Sequence, residues 1–143
     1  MMHGMTGDAS MMRPFAEKIL PEGWTLIVPE ARYLHPRRGR TWWRYEDEDA
    51  DATRRMTLSR RELIDVDSSL SQLEQLIAEQ APLGPLVVGG FSQGGAMALE
   101  MAKRKKFEAV FALSSYPHPE WQPLKDMPPI FLCHGDMDQV VPK

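Results

Sequence analysis

Residues Gly90-Phe91-Ser92-Gln93-Gly94 place a single hydroxyl at the centre of a G-x-S-x-G pattern. The apolar run "PLVVGGFS" (85–92) leads into it, and a good helix-forming segment follows. A nucleophilic serine on a strand-to-helix turn requires that context. To raise its hydroxyl above a sheet, such a serine occupies a strained turn in which the residues two before and two after approach too closely for a Cβ. Glycine therefore belongs at 90 and 94, and Gly89 and Gly95 extend the same close approach of helix to strand. The helix that starts after the serine also aims its first amides at it, which favours a developing oxyanion. Rival readings lack the residues they need. A P-loop ends in Gly-Lys-Ser/Thr, and no lysine follows these glycines until Lys103. A dinucleotide fingerprint needs a glycine where Ser92 stands. A glycine-rich turn without chemistry is the remaining alternative.

A serine hydroxyl is a poor nucleophile until a base takes its proton, and the base needs an acid to orient it. On a strand–turn–helix scaffold the acid follows the serine along the chain, and a histidine follows the acid. "FLCHGDMDQVVP" (131–142) offers Asp136 and Asp138 after a later apolar run, although an isolated aspartate there more commonly serves a turn.

The elements that must position these groups are legible as alternating runs. "WTLIVPEAR" (24–32), "PLVVGGFS" (85–92), "FEAVFALSS" (107–115) and "PPIFLCHGD" (128–136) are short and almost continuously apolar, as strands buried on both faces are. Between them, Leu63, Val66, Leu70, Leu73 and Ile77 recur at spacings of three and four and predict a helix over 60–80, with Ser59 and Glu62 spaced as a capping box. A second helix is expected from Ala96 to Lys106, its basic "KRKK" at the end where the dipole favours cations. A third is expected near 9–20, with Pro14 early in it. Strands alternating with helices specify an α/β class with a mostly parallel sheet.

Composition bounds the partners. The chain has 143 residues, a length that suits one domain over 1–143 with a substantial core. Its apolar fraction is 43%, its charged fraction 26% and its formal net charge −3, which argues against a general attraction to nucleic acid or membranes. Cys133 is the only cysteine, so no intrachain disulfide forms. No apolar run approaches the ~18 residues of a spanning helix, and the first residues lack a signal-peptide layout, so a cytoplasmic protein without stable membrane insertion is expected. The segment 32–58 stands apart. It interleaves Arg, Trp and Tyr, then carries five acids in six residues from Glu46 to Asp51. Basic and aromatic groups together suit a nucleic-acid site, but the acidic run repels phosphate, and a solvated loop whose Trp42 and Trp43 pack onto the domain is expected.

Three motifs in order, "HGMTGD", "GFSQGGAMAL" and "HGDMDQVVP", resemble the phospholipase/carboxylesterase branch of the α/β-hydrolases, which includes the acyl-protein thioesterases. The resemblance covers nearly the whole chain but only the middle of such a domain. It implies a partial α/β-hydrolase fold that lacks N-terminal strands and the C-terminal strand, histidine loop and helix. Carried over by position, Ser92 is the nucleophile and Asp138, preferred to Asp136, the triad acid. The backbone N–H groups of Met5 and Gln93 form the oxyanion hole. The implied reaction is hydrolysis of a carboxylic ester or thioester, on a small-molecule or acyl substrate, through an acyl-enzyme with no metal or cofactor. The alternative is a non-catalytic module that keeps the scaffold and holds an apolar ligand at Trp42 and Trp43.

The resemblance also implies a histidine beyond Lys143. Of the four present, His3 and His134 belong to the two His-Gly motifs and are expected to be structural, His35 lies in the Arg/Trp segment, and His118 is the only conceivable substitute base. Slow turnover or none is therefore expected of this chain alone. Only Met1 and Met2 precede the first motif, so the strand expected between 24–29 and 85–91 is missing. A gap of ~10 Å would face unpaired backbone, and either its flanking strands pair, another segment fills it, or the chain is unstable.

Overall fold

The computed structural model describes residues 1–45, 58–118 and 121–141. The acidic run Glu46 to Asp51 lies outside them. Among the described residues there are three helices and five short strands: α1 (Ala9–Ile19), β1 (Tyr33–Leu34), β2 (Arg40–Thr41), α2 (Arg60–Gln80), β3 (Val87–Phe91), α3 (Gln93–Arg104), β4 (Ala109–Leu113) and β5 (Ile130–Cys133). The strands β3, β4 and β5 form one parallel sheet in that order, in register from Val87↔Ala109 and from Val110↔Ile130. β1 and β2 form a small antiparallel hairpin.

The helices start where the caps place them. Asp8, the last residue of "HGMTGD", accepts the Met11 N–H at 2.8 Å and opens α1. Ser59 and Glu62 close the capping box of α2, at 3.2 and 2.8 Å. The face α2 buries is turned from the one its apolar spacing predicts. Leu63 is exposed, whereas Glu62, Asp65 and Ser69 are buried beside Val66, Leu70 and Leu73. α3 begins at Gln93, three residues before the expected Ala96, because Gly94 and Gly95 belong to the helix.

The run 24–32 is not a strand, contrary to expectation, because a strand needs a partner ladder and this segment has almost none. The position between it and β3 is taken by the first two residues. Met2 bonds both ways with β3, its N–H to Gly89 O at 2.9 Å and its carbonyl to the Phe91 N–H at 3.1 Å. The Met1 ammonium donates to Ile27 O at 2.6 Å. Beside this bridge lies a groove of about 650 Å³, lined by Phe15, Ile19, Trp24, Val87 and Phe131 among others. On the other face of the sheet, α3 and α2 cover a core of Met97, Met101, Val110, Leu70, Trp42 and Trp43.

Candidate active site

Ser92 stands between β3 and α3 with φ 52° and ψ −121°, a left-handed backbone that serine adopts at a cost of about 1–3 kcal/mol. It occupies the N-cap position of α3, yet its hydroxyl makes no cap bond to the helix. Its carbonyl is fixed instead, by the Gly95 N–H at 2.9 Å and by the Ser115 hydroxyl at 2.6 Å, and its N–H donates to Leu113 O at 2.9 Å. The turn is therefore held through its backbone, and the side chain takes no part in capping α3. The two motif glycines are required as expected: a Cβ at Gly90 would overlap the Gly94 carbonyl, and one at Gly94 would lie 2.6 Å from Met2 O. Gly89 departs from its expected role, since it makes room for the Phe111 ring rather than for α3.

The His-Gly loop lies against this turn. A Cβ at Gly4 would sit 3.3 Å from Ser92 Cβ, so Met5 follows a residue already touching the serine. Thr6, the next residue, is held at φ 67°. Ser92, Gln93 and the Met5 loop thus converge at the C-terminal end of β3. Asp138 belongs to the turn after β5, two strands away. Its Oδ1 accepts the Val140 and Val141 N–H groups at 2.9 and 3.0 Å, and His134 Nε2 lies 3.5 Å from Oδ2. The bonds from Val141 and then Val140 hold its carboxyl below the usual aspartate range, with Ser114 a smaller contributor. Asp136 is exposed, whereas Asp138 is partly buried.

Two histidines are committed elsewhere. His3 is buried, its Nε2 accepting the Ala31 N–H at 3.1 Å, which leaves Nδ1–H to donate to Gly4 O at 2.7 Å. Burial lowers its pKa. His134 Nε2 lies 2.6 Å from Val141 O. His35 sits in the β1–β2 hairpin with Nδ1 accepting the Arg37 N–H, and His118 is buried after β4.

Trp42 and Trp43 are 0% and 1% exposed, so they are core, and the ligand face that a binding module would need is absent at this pair. Residue-by-residue reading also missed the Gln93 side chain. Its Oε1 accepts the Trp42 N–H at 2.9 Å, and its Nε2 donates to Trp43 O at 3.2 Å. The available signal was two adjacent tryptophans in a strongly charged segment, which only burial explains. Among the described residues, no group of three or more His, Cys, Asp or Glu side chains is placed to hold a metal ion, and no helix is long and apolar enough to cross a membrane.

Comparison with known proteins agrees with this fold. The family model described as Phospholipase/Carboxylesterase matches residues 1–143. The acyl-protein thioesterase 1 of Neurospora crassa is 39% identical over 82 residues, which cover 48% of this chain and 32% of that protein. The lysophospholipase-like protein 1 of Mus musculus is 34% identical over 89 residues, covering 53% and 37%. The chain thus spans about a third of the length of these curated relatives. In shape, a carboxylesterase from Mesorhizobium loti matches 93% of the chain and 61% of its own at a TM-score of 0.67 and 17% identity. A putative hydrolase of the α/β superfamily from Xanthomonas campestris matches 99% and 72% at 0.57 and 22%. At such identities the likeness shows the fold, and the fold is that of a partial α/β-hydrolase.

Proposed function

The chain belongs to the phospholipase/carboxylesterase family, and from that premise we propose that it carries the nucleophile, acid and oxyanion hole of a serine carboxylic-ester or thioester hydrolase. The observation that carries the reading is Ser92 itself, a left-handed residue at the start of a helix whose hydroxyl is not used to cap it. In this reading Ser92 Oγ bonds to the acyl carbon as its proton passes to a base. The displaced carbonyl electrons collect on oxygen, where the N–H groups of Met5 and Gln93 stabilise them. Collapse of that intermediate expels the alcohol or thiol, which takes the proton, and leaves acyl-Ser92. Water then cleaves the acyl-enzyme to a carboxylic acid and free Ser92.

Asp138 orients the imidazole of the base. Its lowered pKa supports that role, because an ionised carboxylate favours the imidazolium formed when the serine proton is taken. His3 and His134 spend ring nitrogens on backbone partners, which supports slow turnover by these 143 residues alone, about 10³–10⁴-fold above water. We assign the chemistry to the cytoplasm on the support of the single, unpaired Cys133.

Prolonged incubation of the purified chain with a fluorophosphonate probe tests the assignment. Slow, stoichiometric labelling that maps to Ser92 and disappears in Ser92→Ala is expected. Labelling that persists in Ser92→Ala, or none with excess probe, overturns it. Rapid labelling would instead show a working base within the chain.

A further inference from the structure

Helix α2 buries three polar side chains, Glu62, Asp65 and Ser69, on the face where an amphipathic helix places apolar ones. Two of them hold one short segment. Ser69 Oγ donates to Trp42 O at 2.5 Å, and Asp65 accepts Arg44 three times, from N–H at 3.0 Å and from Nε and NH2 at 2.8 Å. From that anchorage the segment reaches the candidate active site twice. On one side the Gln93 carboxamide, 0% exposed, pairs with the backbone of Trp42 and Trp43 much as a neighbouring strand would, with Thr41 Oγ1 a further 3.0 Å from its Oε1. On the other side the Trp42 indole donates to His3 O at 2.8 Å and packs on the His3 ring, centroids 5.2 Å apart. Arg40 completes that side, accepting the Thr6 N–H at 2.9 Å and donating to Gly7 O at 2.8 Å.

Met5 is thereby flanked by tied residues, and the same segment grips the side chain of Gln93. We propose that residues 40–43, acting through the Gln93 carboxamide and the Trp42 indole, are a brace that fixes the separation of the Met5 and Gln93 N–H groups. The part those two groups play in catalysis rests on the function proposed above; the brace itself is a statement about their relative position. Gln93 and Trp42 are positioning residues. An oxyanion hole gains its effect from donors that need no rearrangement when charge develops, so two N–H groups on separate segments require a rigid link. Arg40 to Trp43 supplies it, and the polar face of α2 supplies the footing.

The test uses Gln93→Met, which keeps the length and removes the carboxamide, and Trp42→Phe, which keeps an aromatic ring and removes the indole donor, so that failure of one variant to fold leaves the other. Two readouts are needed. The first is 15N relaxation of the 143-residue chain. The Met5 amide is expected at an order parameter of about 0.85 in the parent and below about 0.6 in either variant, with α2 and β4 amides unchanged. The second is hydrolysis of an activated acetyl ester, whose residual rate comes from the oxyanion hole, with kcat expected to fall about 100-fold while KM stays within about twofold. An unchanged Met5 order parameter in both folded variants overturns the brace, whatever the kinetics. A parent chain whose Ser92 takes no fluorophosphonate counts against the proposed function alone, and the relaxation data then decide the brace. Loosened Met5 with unchanged kcat overturns its catalytic purpose.

Discussion

Along one edge β3 pairs from Val87↔Ala109 to Phe91↔Leu113 with β4, whereas along the other, among the described residues, only Met2 bridges to it, at Gly90. The sequence on the two sides is similarly apolar, "FEAVFALSS" beyond the first edge and "WTLIVPEAR" beyond the second. One became a strand and the other did not. Backbone hydrogen bonding is a property of pairs, so an apolar run becomes a strand only where a neighbour offers a complete ladder. The Ser92 turn depends on both sides. Gly94 is packed against Met2 and His3 on the sparse edge, while Leu113 and Ser115 hold Ser92 from the full one.

The sharpest test truncates a tryptophan in the core beneath α2 and α3. Trp43 is fully buried in the core, so Trp43→Ala is expected to cost about 3–5 kcal/mol in chemical denaturation. A cost near 1 kcal/mol would mean that the α2–α3 side is no better packed than the groove.

The sparse edge is addressed next, through its terminal amine. Burial lowers the Met1 ammonium pKa from 8.0 to about 6. The unfolded chain therefore holds a proton between pH 8 and 6 that the folded chain has released, and stability falls as pH drops through that window. The expected loss is roughly 2–3 kcal/mol, with a plateau below pH 6. Acetylating the amine should flatten the slope, and an equal slope after acetylation would show that the amine is not seated at Ile27.

A smaller effect, in a lower window, comes from His3 beside the turn. Both its nitrogens are bonded in the neutral form, and protonating Nε2 would set it against the Ala31 N–H. Desolvation lowers its pKa below 6.5, outweighing Glu30 and Asp8, which raise it. The unfolded ring thus gains its proton first, and stability present above pH 6.5 is lost as pH falls below it. His3→Phe should remove that slope and cost about 2 kcal/mol at neutral pH, because the buried Ala31 N–H loses its acceptor. Denaturant melts across pH would distinguish the two windows.

How much of this was legible in the sequence follows from how local each signal is. The Ser59–Glu62 box opened α2 where expected, because a cap involves residues three apart. Gly90 was equally plain, since a Cβ there meets Gly94 within the same turn; Gly94 is required by Met2 and His3, distant in sequence, and was legible only through the motif. The buried face of α2 was misread at Leu63, because Asp65 and Ser69 bind Arg44 and Trp42, partners more than 20 residues away. The Gln93 side chain was illegible for the same reason, its partners lying some 50 residues upstream in a segment with no helical or strand period. The β1–β2 hairpin turns through a charged stretch with Gly39 in the left-handed region, and nothing in its composition announces strands. The Met5 loop was placed by resemblance alone.

The smallest effect is expected at Trp24, and it sharpens the comparison most. Trp24 lines the groove beside the sparse edge and is 40% exposed. Its ring is already in contact with water, so truncation neither opens a closed cavity nor strands a buried polar group, the two sources of large losses. Trp24→Ala should therefore cost about 1 kcal/mol or less, against the 3–5 kcal/mol of Trp43→Ala, although the two residues have the same side chain. If Trp24→Ala instead costs as much as Trp43→Ala, the groove is filled in solution. A loss that grows with protein concentration would identify a second copy of the chain as the filling. A loss independent of concentration would mean that the segment 24–28 closes onto β3 within one molecule.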